Sequence, residues 1–356
     1  MIIYEDKIHH FSELFDENSG LLIRSNVFGT KNDPYMRSFP ELIDIGIKGS
    51  CKCGQYGFCK KAGVDCYQQG NIKHAPDMSV EDFERLLKEC SGKTFQVALG
   101  GAGDPNTHDS FEELLEIAHF YHIVPNLTTS GFDMTDGEVE AIKQYCGAVA
   151  VSFYSLLMKD STESNKFTLE AIQRLIKVGC ETNIHYVISS KSIDEAIMRL
   201  KHDLFPKGIN AVVFLLYKPV GNGVKEKMLE RSDERLSEFL DLALGKNHSY
   251  KIGFDTCFAS AIIDRNDIDL CSIDSCEAAR FSMYIDSILN AYPCSFDCQN
   301  GLYKVLIKNK SIQYAWNSPT FQNFRNHAKL KCHNCEKKEK CCGDCALDLG
   351  LKLCNY

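Results

Sequence analysis

The sequence contains no apolar run long enough to cross a bilayer: the longest, Ala211–Tyr217, is far short of the ~18 residues that a membrane helix needs. No membrane partner is expected. A secretory start is missing as well, because Met1–Phe11 (MIIYEDKIHHF) is broken by Glu5, Asp6 and two histidines where a signal peptide keeps an apolar stretch. This reading places the protein in the cytoplasm. Positive charge is in deficit, with 40 basic against 48 acidic residues and a net charge of -8, which argues against a phosphate-tracking surface. No nucleic-acid partner is expected. Proline is scarce, at 9 of 356 residues, while 44% of the chain is hydrophobic, so disordered and collagen-like architectures are excluded. What the chain has in excess is cysteine, 18 in all. A chain of this length buries a core without staples. In a reducing compartment clustered thiols are therefore read first as metal ligands and second as disulfides.

From residue 42 onwards, short apolar runs alternate with amphipathic stretches. Leu42–Ile47, Phe95–Leu99, Ile123–Thr128, Ala148–Phe153, Asn183–Ile188 and Ala211–Tyr217 read as buried strands. Between them, Ser79/Asp82, Ser110/Glu113, Thr135/Glu138 and Ser192/Glu195 have the spacing of helix capping boxes. Phe83, Leu86, Leu87 and Cys90 form one core-facing stripe, and Phe111, Leu114, Leu115 and Ala118 another. The pattern predicts an α/β fold whose parallel sheet is open or curved towards a barrel, with ligands at the carboxyl ends of the strands. A last helix is expected around Glu234–Ala243. Beyond it, the segment Cys257–Tyr356 holds 11 of the 18 cysteines and loses the alternation. The expected division is a lead-in over residues 1–41, irregular except for a strand-like piece at Leu21–Arg24, a strand–helix domain over 42–245 and a cysteine-rich domain over 246–356.

Three cysteine groups carry the chemistry. In the tail, Cys332-x2-Cys335-x5-Cys341-x3-Cys345 is followed by Cys354, and upstream stand Cys271, Cys276 and Cys294, the last in the phrase Ala291-Tyr292-Pro293-Cys294. Spacing of this kind suits thiolates that converge on metal centres, and zinc ribbons remain open at this point. The third group, Cys51, Cys53, Cys59 and Cys66, directly follows the first strand, where a parallel barrel places its catalytic residues. The second strand runs into Gly100-Gly101-Ala102-Gly103-Asp104-Pro105. As a phosphate loop it lacks the lysine and hydroxyl that should follow, and Asp104-Pro105 interrupts a dinucleotide fingerprint. Small residues here let a ligand approach the backbone, and Asp104 can accept from a cationic amine.

Taken in order, the cysteine cluster after strand one, the glycine-acid-proline loop after strand two and Thr129-Ser130-Gly131 after strand three resemble the radical S-adenosylmethionine (SAM) superfamily. Ser152 near the end of strand four and Pro219–Gly223 after strand six extend the likeness. The tail resembles the SPASM extension, whose seven cysteine places are filled by Cys276, Cys294, Cys332, Cys335, Cys341, Cys345 and Cys354. The resemblance implies a partial (β/α)6 radical SAM barrel with a C-terminal SPASM iron-sulfur domain. It also implies three 4Fe-4S clusters, one of them held by only three thiolates so that its open iron chelates SAM. Reductive cleavage of SAM would then yield a 5'-deoxyadenosyl radical.

The superfamily's usual C-x3-C-x2-C is absent, and the spacings available are C-x7-C-x6-C from Cys51, Cys59 and Cys66 or C-x5-C-x6-C beginning at Cys53. Cys51 is favoured, because it directly follows the strand and leaves Gly54–Gly57 as a loop to wrap a cluster. By resemblance, Gly103 and Asp104 hold the SAM amine, Ser130 and Ser152 its carboxylate or ribose, and Val220 and Gly221 the adenine side. One auxiliary cluster takes Cys276, Cys294 and Cys345 with an upstream cysteine, Cys271 or else Cys257; the other takes Cys332, Cys335, Cys341 and Cys354. Cys298 and Cys342 are minor candidates as hydrogen donors, and His185 and Tyr154 as groups that face the barrel interior. Leu289 stands where the SPASM pattern has a turn glycine before Tyr-Pro-Cys, which predicts a differently shaped hairpin.

The implied activity is modification of a peptide or protein, such as a small ribosomally made precursor, with electrons from an external flavodoxin or ferredoxin. A small-molecule substrate is the alternative, and a non-catalytic zinc or iron-sulfur protein a further one. The sulfatase-maturing branch has an aspartate directly after the Tyr-Pro-Cys cysteine, where this chain has Ser295 and places Asp297 two residues later.

Overall fold

A computed structural model describes residues 1–26, 34–154, 162–263, 265, 268, 273–330, 332, 334–337, 341 and 345–354. Six parallel strands lie side by side in sequence order: β4 (Leu42–Lys48), β5 (Gln96–Gly101), β6 (Val124–Thr129), β7 (Val149–Ser152), β8 (Thr182–Ile188) and β9 (Ala211–Leu216). All six expected strands are present, with ends displaced by a residue or two. Each connection carries a helix: α3 (Val80–Cys90), α4 (Phe111–Phe120), α5 (Asp136–Tyr145), α6 (Thr162–Lys177) and α7 (Ile193–His202). The strands alternate apolar and mixed positions, so that Ile43, Ile45 and Ile47 pack in one core with the α3 stripe Phe83, Leu86, Leu87 and Cys90. The other strand face, with Asp44, Asn126, Ser152 and His185, is left to line the interior.

The sheet does not end at residue 245. After α8 (Arg235–Gly245), β10 (Lys251–Phe254) pairs parallel with β9, and α9 (Ala259–Ile262) follows. At the opposite edge, β11 (Ser282–Ile285) pairs parallel with β4 and continues antiparallel into β12 (Asn290–Tyr292) and β13 (Val305–Leu306). The result is one ten-stranded sheet. The tail helices α10 (Ile312–Trp316) and α11 (Pro319–Leu330) pack beside it, and Trp316 is fully buried with its Nε1 donating to the Arg37 carbonyl at 3.0 Å.

The lead-in is more ordered than expected. It forms an antiparallel meander of β1 (Ile2–Asp6), β2 (Phe11–Phe15) and β3 (Leu22–Asn26). Strand β2 buries Phe11, Glu13 and Phe15 on one face, and the Glu13 carboxylate is paired with Arg37 Nε at 2.7 Å. Arg24 on β3 pairs with Glu41 and reaches Glu277 at 2.6 Å, so the meander is fastened to both barrel and tail.

Three further expectations need correction. Only Thr135/Glu138 forms a complete capping box; Ser79 caps alone, whereas Ser110 and Ser192 make no capping bond. The Ser192 hydroxyl donates instead to the Val187 carbonyl at 2.7 Å, and the Glu195 carboxylate is taken by Arg199. Residues 54–57 are not a free loop, because single-turn helices α1 (Lys52–Gln55) and α2 (Phe58–Lys61) flank Tyr56-Gly57. The hairpin before Tyr292-Pro293-Cys294 keeps a glycine-like turn. Leu289 adopts φ +64° there with its side chain buried, at a conformational cost of about 1–2 kcal/mol.

Candidate functional site

The carboxyl end of β4 delivers four cysteines to one place. Cys51 caps α1, its sulfur accepting from the Gly54 N–H at 3.1 Å, and the Cys53 and Cys59 sulfurs lie 3.8 Å apart. Cys51 lies within electrostatic reach of Asp104, Cys59 and Cys66. Burial pushes the Cys51 thiol up to about 12, and burial likewise raises Cys66. Either thiol of the Cys53–Cys59 pair can donate to the other, and Cys53 is raised by this contact and by burial. The four positions are unequal: Cys53 shares a sulfur–sulfur contact with Cys59 and accepts from Ser130 Oγ at 3.9 Å, whereas the Cys51 and Cys66 sulfurs accept backbone N–H groups.

Two neighbouring loops close around this group. Gly103 packs directly on the cysteine loop: a Cβ there would lie 2.4 Å from the Ser50 carbonyl oxygen and 2.9 Å from the Cys51 Cα, so no larger residue fits. Asp104 follows, accepting from the Ser130 N–H, from Ser130 Oγ at 2.8 Å and from Thr129 Oγ1 at 3.2 Å. Burial raises its carboxyl even against these bonds, and among the described residues no lysine or arginine pairs with it. A half-buried carboxylate with hydrogen-bond donors but no cation is suited to an ammonium ligand. Opposite, Asn222 N–H donates to the Cys66 carbonyl at 3.1 Å, and Gly221 (φ +66°) leaves no room for a Cβ, which would stand 2.3 Å from the Tyr67 carbonyl oxygen. Val220 beside it is buried. Tyr217 holds this loop by donating to Asp65 at 2.8 Å, and Lys227 reaches the same carboxylate at 2.6 Å. Sequence reading passed over this lock.

Tyr154 stands within electrostatic reach of Cys59, Asp104, Cys53 and Cys66, and burial raises its phenol. Ser152 pairs in register with His185 on β8, so both lie on the interior face at the same level. Burial pushes His185 down to about 4, so its imidazole is neutral at pH 7. The unfolded chain binds this proton near pH 6.5 and the folded chain only near 4. Stability associated with His185 is thus present above pH 6.5 and lost as the pH falls towards 4, by up to about 3 kcal/mol. His185→Gln is expected to flatten denaturation midpoints across that window relative to the parent protein; parallel pH profiles would contradict the assignment. Asp44, on the interior face of β4, is a group that sequence reading missed, its carboxyl pushed up to about 7 by burial and then by Glu277.

In the tail a second set of thiols converges. Cys294 lies within electrostatic reach of Cys276, Cys345 and Cys257, and Cys257 within reach of Cys276 and Cys345. Burial raises all three of Cys257, Cys276 and Cys294, with Cys276 at about 11. Four half-buried thiols within electrostatic reach of one another have the chemistry of a tetrathiolate centre. Cys257 sits in the turn Thr256–Phe258 directly after β10, the position Cys51 occupies after β4. Cys271 and Cys342 lie outside the described residues. Of the remaining group, Cys332 and Cys335 are joined by a tight turn, Cys335 N–H donating to the Cys332 carbonyl at 2.8 Å. Among the described residues no three His, Cys, Asp or Glu side chains are drawn in closely enough to hold one metal ion. Cys298 donates to Gln68 Oε1 at 3.2 Å, and the Asp297 carboxylate accepts from Leu302 and Tyr303 N–H groups, so both are engaged inside the protein.

No family model matches the chain, and no curated protein matches it by sequence. Solved structures do. SuiB from Streptococcus suis bound to S-adenosylmethionine superposes with a TM-score of 0.68 at 20% identity, over 87% of this chain and 74% of that one. SuiB bound to its precursor peptide SuiA gives a TM-score of 0.67 at 19% identity, over 87% and 72%. The enzyme anSMEcpe with bound AdoMet gives 0.57 at 17% identity, over 86% of this chain and 89% of that one. The chain shares the fold of SuiB and of anSMEcpe, each of which has been solved with S-adenosylmethionine bound.

Proposed function

We propose that the chain is a radical SAM enzyme of the SPASM type that modifies a peptide or protein. The observation that carries this reading is the meeting, at the carboxyl ends of the parallel strands, of the Cys51/Cys59/Cys66 thiols with a half-buried Asp104 that pairs with no lysine or arginine among the described residues. Three thiolates fit a 4Fe-4S cluster with one open iron, and when bound such a cluster supplies the electron that splits SAM to methionine and a hydrogen-abstracting 5'-deoxyadenosyl radical. Cys51, Cys59 and Cys66 hold that cluster, with Cys53 beside the Cys59 sulfur. Asp104 holds the SAM ammonium and orders Thr129-Ser130 against it. Ser130 and Ser152 present hydroxyls on the same side, and Gly103, Val220 and Gly221 allow the walls to approach closely enough to exclude water.

In the tail, Cys257, Cys276, Cys294 and Cys345 hold one auxiliary cluster and Cys332, Cys335, Cys341 and Cys354 the other, with reducing equivalents from an external flavodoxin or ferredoxin. A peptide substrate is supported by the peptides bound to SuiB and anSMEcpe in their solved structures. Ser295 in place of the aspartate after Cys294, and the structural use of Asp297, favour a chemistry other than formylglycine formation.

Asp104→Asn keeps an acceptor for Ser130 and Thr129 and removes the charge. SAM affinity should fall about ten- to hundredfold, the equivalent of a charge-assisted bond of roughly 1.5–3 kcal/mol, with iron content unchanged. Calorimetry on the reconstituted protein reads this directly. An unchanged dissociation constant would show that Asp104 serves only to join two loops.

A further inference from the structure

The cysteine loop reaches the surface through side chains that the reading above does not use. Tyr56 is 66% exposed, and its ring lies 6.0 Å from that of Phe132, which in turn stands 5.6 Å from Phe58 and 5.5 Å from Phe167 on α6. The last three are half-buried, so the four rings make an aromatic patch at the surface. Between Tyr56 and Phe58 the chain turns at Gly57 (φ +75°), where a Cβ would meet only open space. On this loop the charge is of one sign. Residues 52–63 hold three lysines, Lys52, Lys60 and Lys61, and no acid, in a chain whose net charge is -8. All three are exposed, none is paired with a carboxylate of the described residues, and Lys61 Nζ lies 5.6 Å from the Phe58 ring centroid.

Short links tie the patch to the thiols. Phe58 directly precedes Cys59, whose sulfur lies 3.8 Å from that of Cys53, and the Phe132 N–H donates at 3.3 Å to Ser130 Oγ, itself 3.9 Å from the Cys53 sulfur. A peptide must enter the barrel interior, where Ser152 and His185 lie, whereas an electron needs only a short path from outside. Aromatic rings bordered by cations suit a flat apolar ring carried by an acidic protein. We propose that Tyr56, Phe58 and Phe132 with Lys52, Lys60 and Lys61 form the docking surface for a flavodoxin-type donor, an acidic protein whose flavin ring presents its apolar edge to the aromatic patch. This rests on the proposed SAM cluster of Cys51, Cys59 and Cys66 and names the face through which it is reduced. One electron leaves the flavin hydroquinone anion, which becomes the neutral semiquinone, and enters that cluster; no bond forms and no proton moves.

The test uses full-length reconstituted protein and an acidic bacterial flavodoxin kept reduced by NADPH and its reductase, with dithionite as a donor that needs no docking surface. Calorimetry reads flavodoxin binding, and chromatography reads 5'-deoxyadenosine from each donor. Lys52→Glu, Lys60→Glu and Lys61→Glu together should weaken flavodoxin binding about tenfold at low salt and flatten its salt dependence, with SAM binding and dithionite-driven turnover unchanged. Tyr56→Ser should weaken binding at every salt concentration. Asp133→Asn, which removes the exposed acid beside Phe132, should tighten it. If the triple variant loads less iron, these two single variants carry the test. Unchanged flavodoxin affinity in the lysine or Tyr56 variants at full iron content, loss of SAM binding in Tyr56→Ser, or a parent that turns over with dithionite yet binds no flavodoxin would overturn the docking surface. An iron-loaded parent that forms no 5'-deoxyadenosine with dithionite would overturn the radical SAM reading instead.

Discussion

With Cys51, Cys59 and Cys66 replaced together by alanine, the reconstituted protein is expected to release no 5'-deoxyadenosine from SAM while still binding about eight irons in its tail. The three thiols follow β4 and lie within electrostatic reach of one another, whereas the tail thiols are placed by the turn after β10, by the β12 hairpin and by the C-terminal segment. The two losses should therefore separate. The parent should bind about twelve irons, and about four would mean that the tail holds none. Single changes resolve the unusual spacing of the first group. Because Cys51 directly follows the strand, it is favoured as the first ligand, so Cys53→Ala should retain activity and Cys51→Ala should lose it. Loss in Cys53→Ala with Cys51→Ala active would exchange their roles.

A second large effect is expected at Cys257. It lies within electrostatic reach of Cys276, Cys294 and Cys345, so Cys257→Ala should lose about four irons and leave SAM binding in the barrel unchanged. Cys271→Ala should load fully. Iron and sulfide assays on the two variants decide the matter, and the reverse pattern would make Cys271 the ligand. Spacing alone favoured Cys271, which stands five residues before Cys276. The signal for Cys257 was its place just past a strand, and β10 is short and weakly apolar, with the exposed Lys251 at its start. A strand of this kind is hard to see before its neighbour β9 is known.

The barrel strands were legible because each is a short apolar run followed by an amphipathic helix, a pattern set by burial on the helix-facing side. The lead-in was not. Its β2 strand sets Glu13 on the buried face between Phe11 and Phe15, and the charge hides an alternation that Arg37, 24 residues away, makes tolerable. Capping boxes were over-read for a related reason. Ser110 and Ser192 have the right spacing, but neither has the extended backbone that turns a side-chain oxygen towards the free amides. Leu289 is the opposite case. The residue departs from the glycine expected there, yet buried contacts hold it in the left-handed conformation and preserve the turn. The convergence of Asp104 on Ser130 was readable as loop order along the chain; its lack of a cation needed the structure.

The central claim is that the Cys51/Cys59/Cys66 and Asp104 constellation cleaves SAM. The most direct measurement is chromatographic quantification of 5'-deoxyadenosine after anaerobically reconstituted protein is incubated with SAM and dithionite. The account predicts brown, iron- and sulfide-containing protein that forms 5'-deoxyadenosine and methionine in equal amounts. Colourless protein that carries zinc without sulfide, and leaves SAM intact under the same conditions, would contradict it.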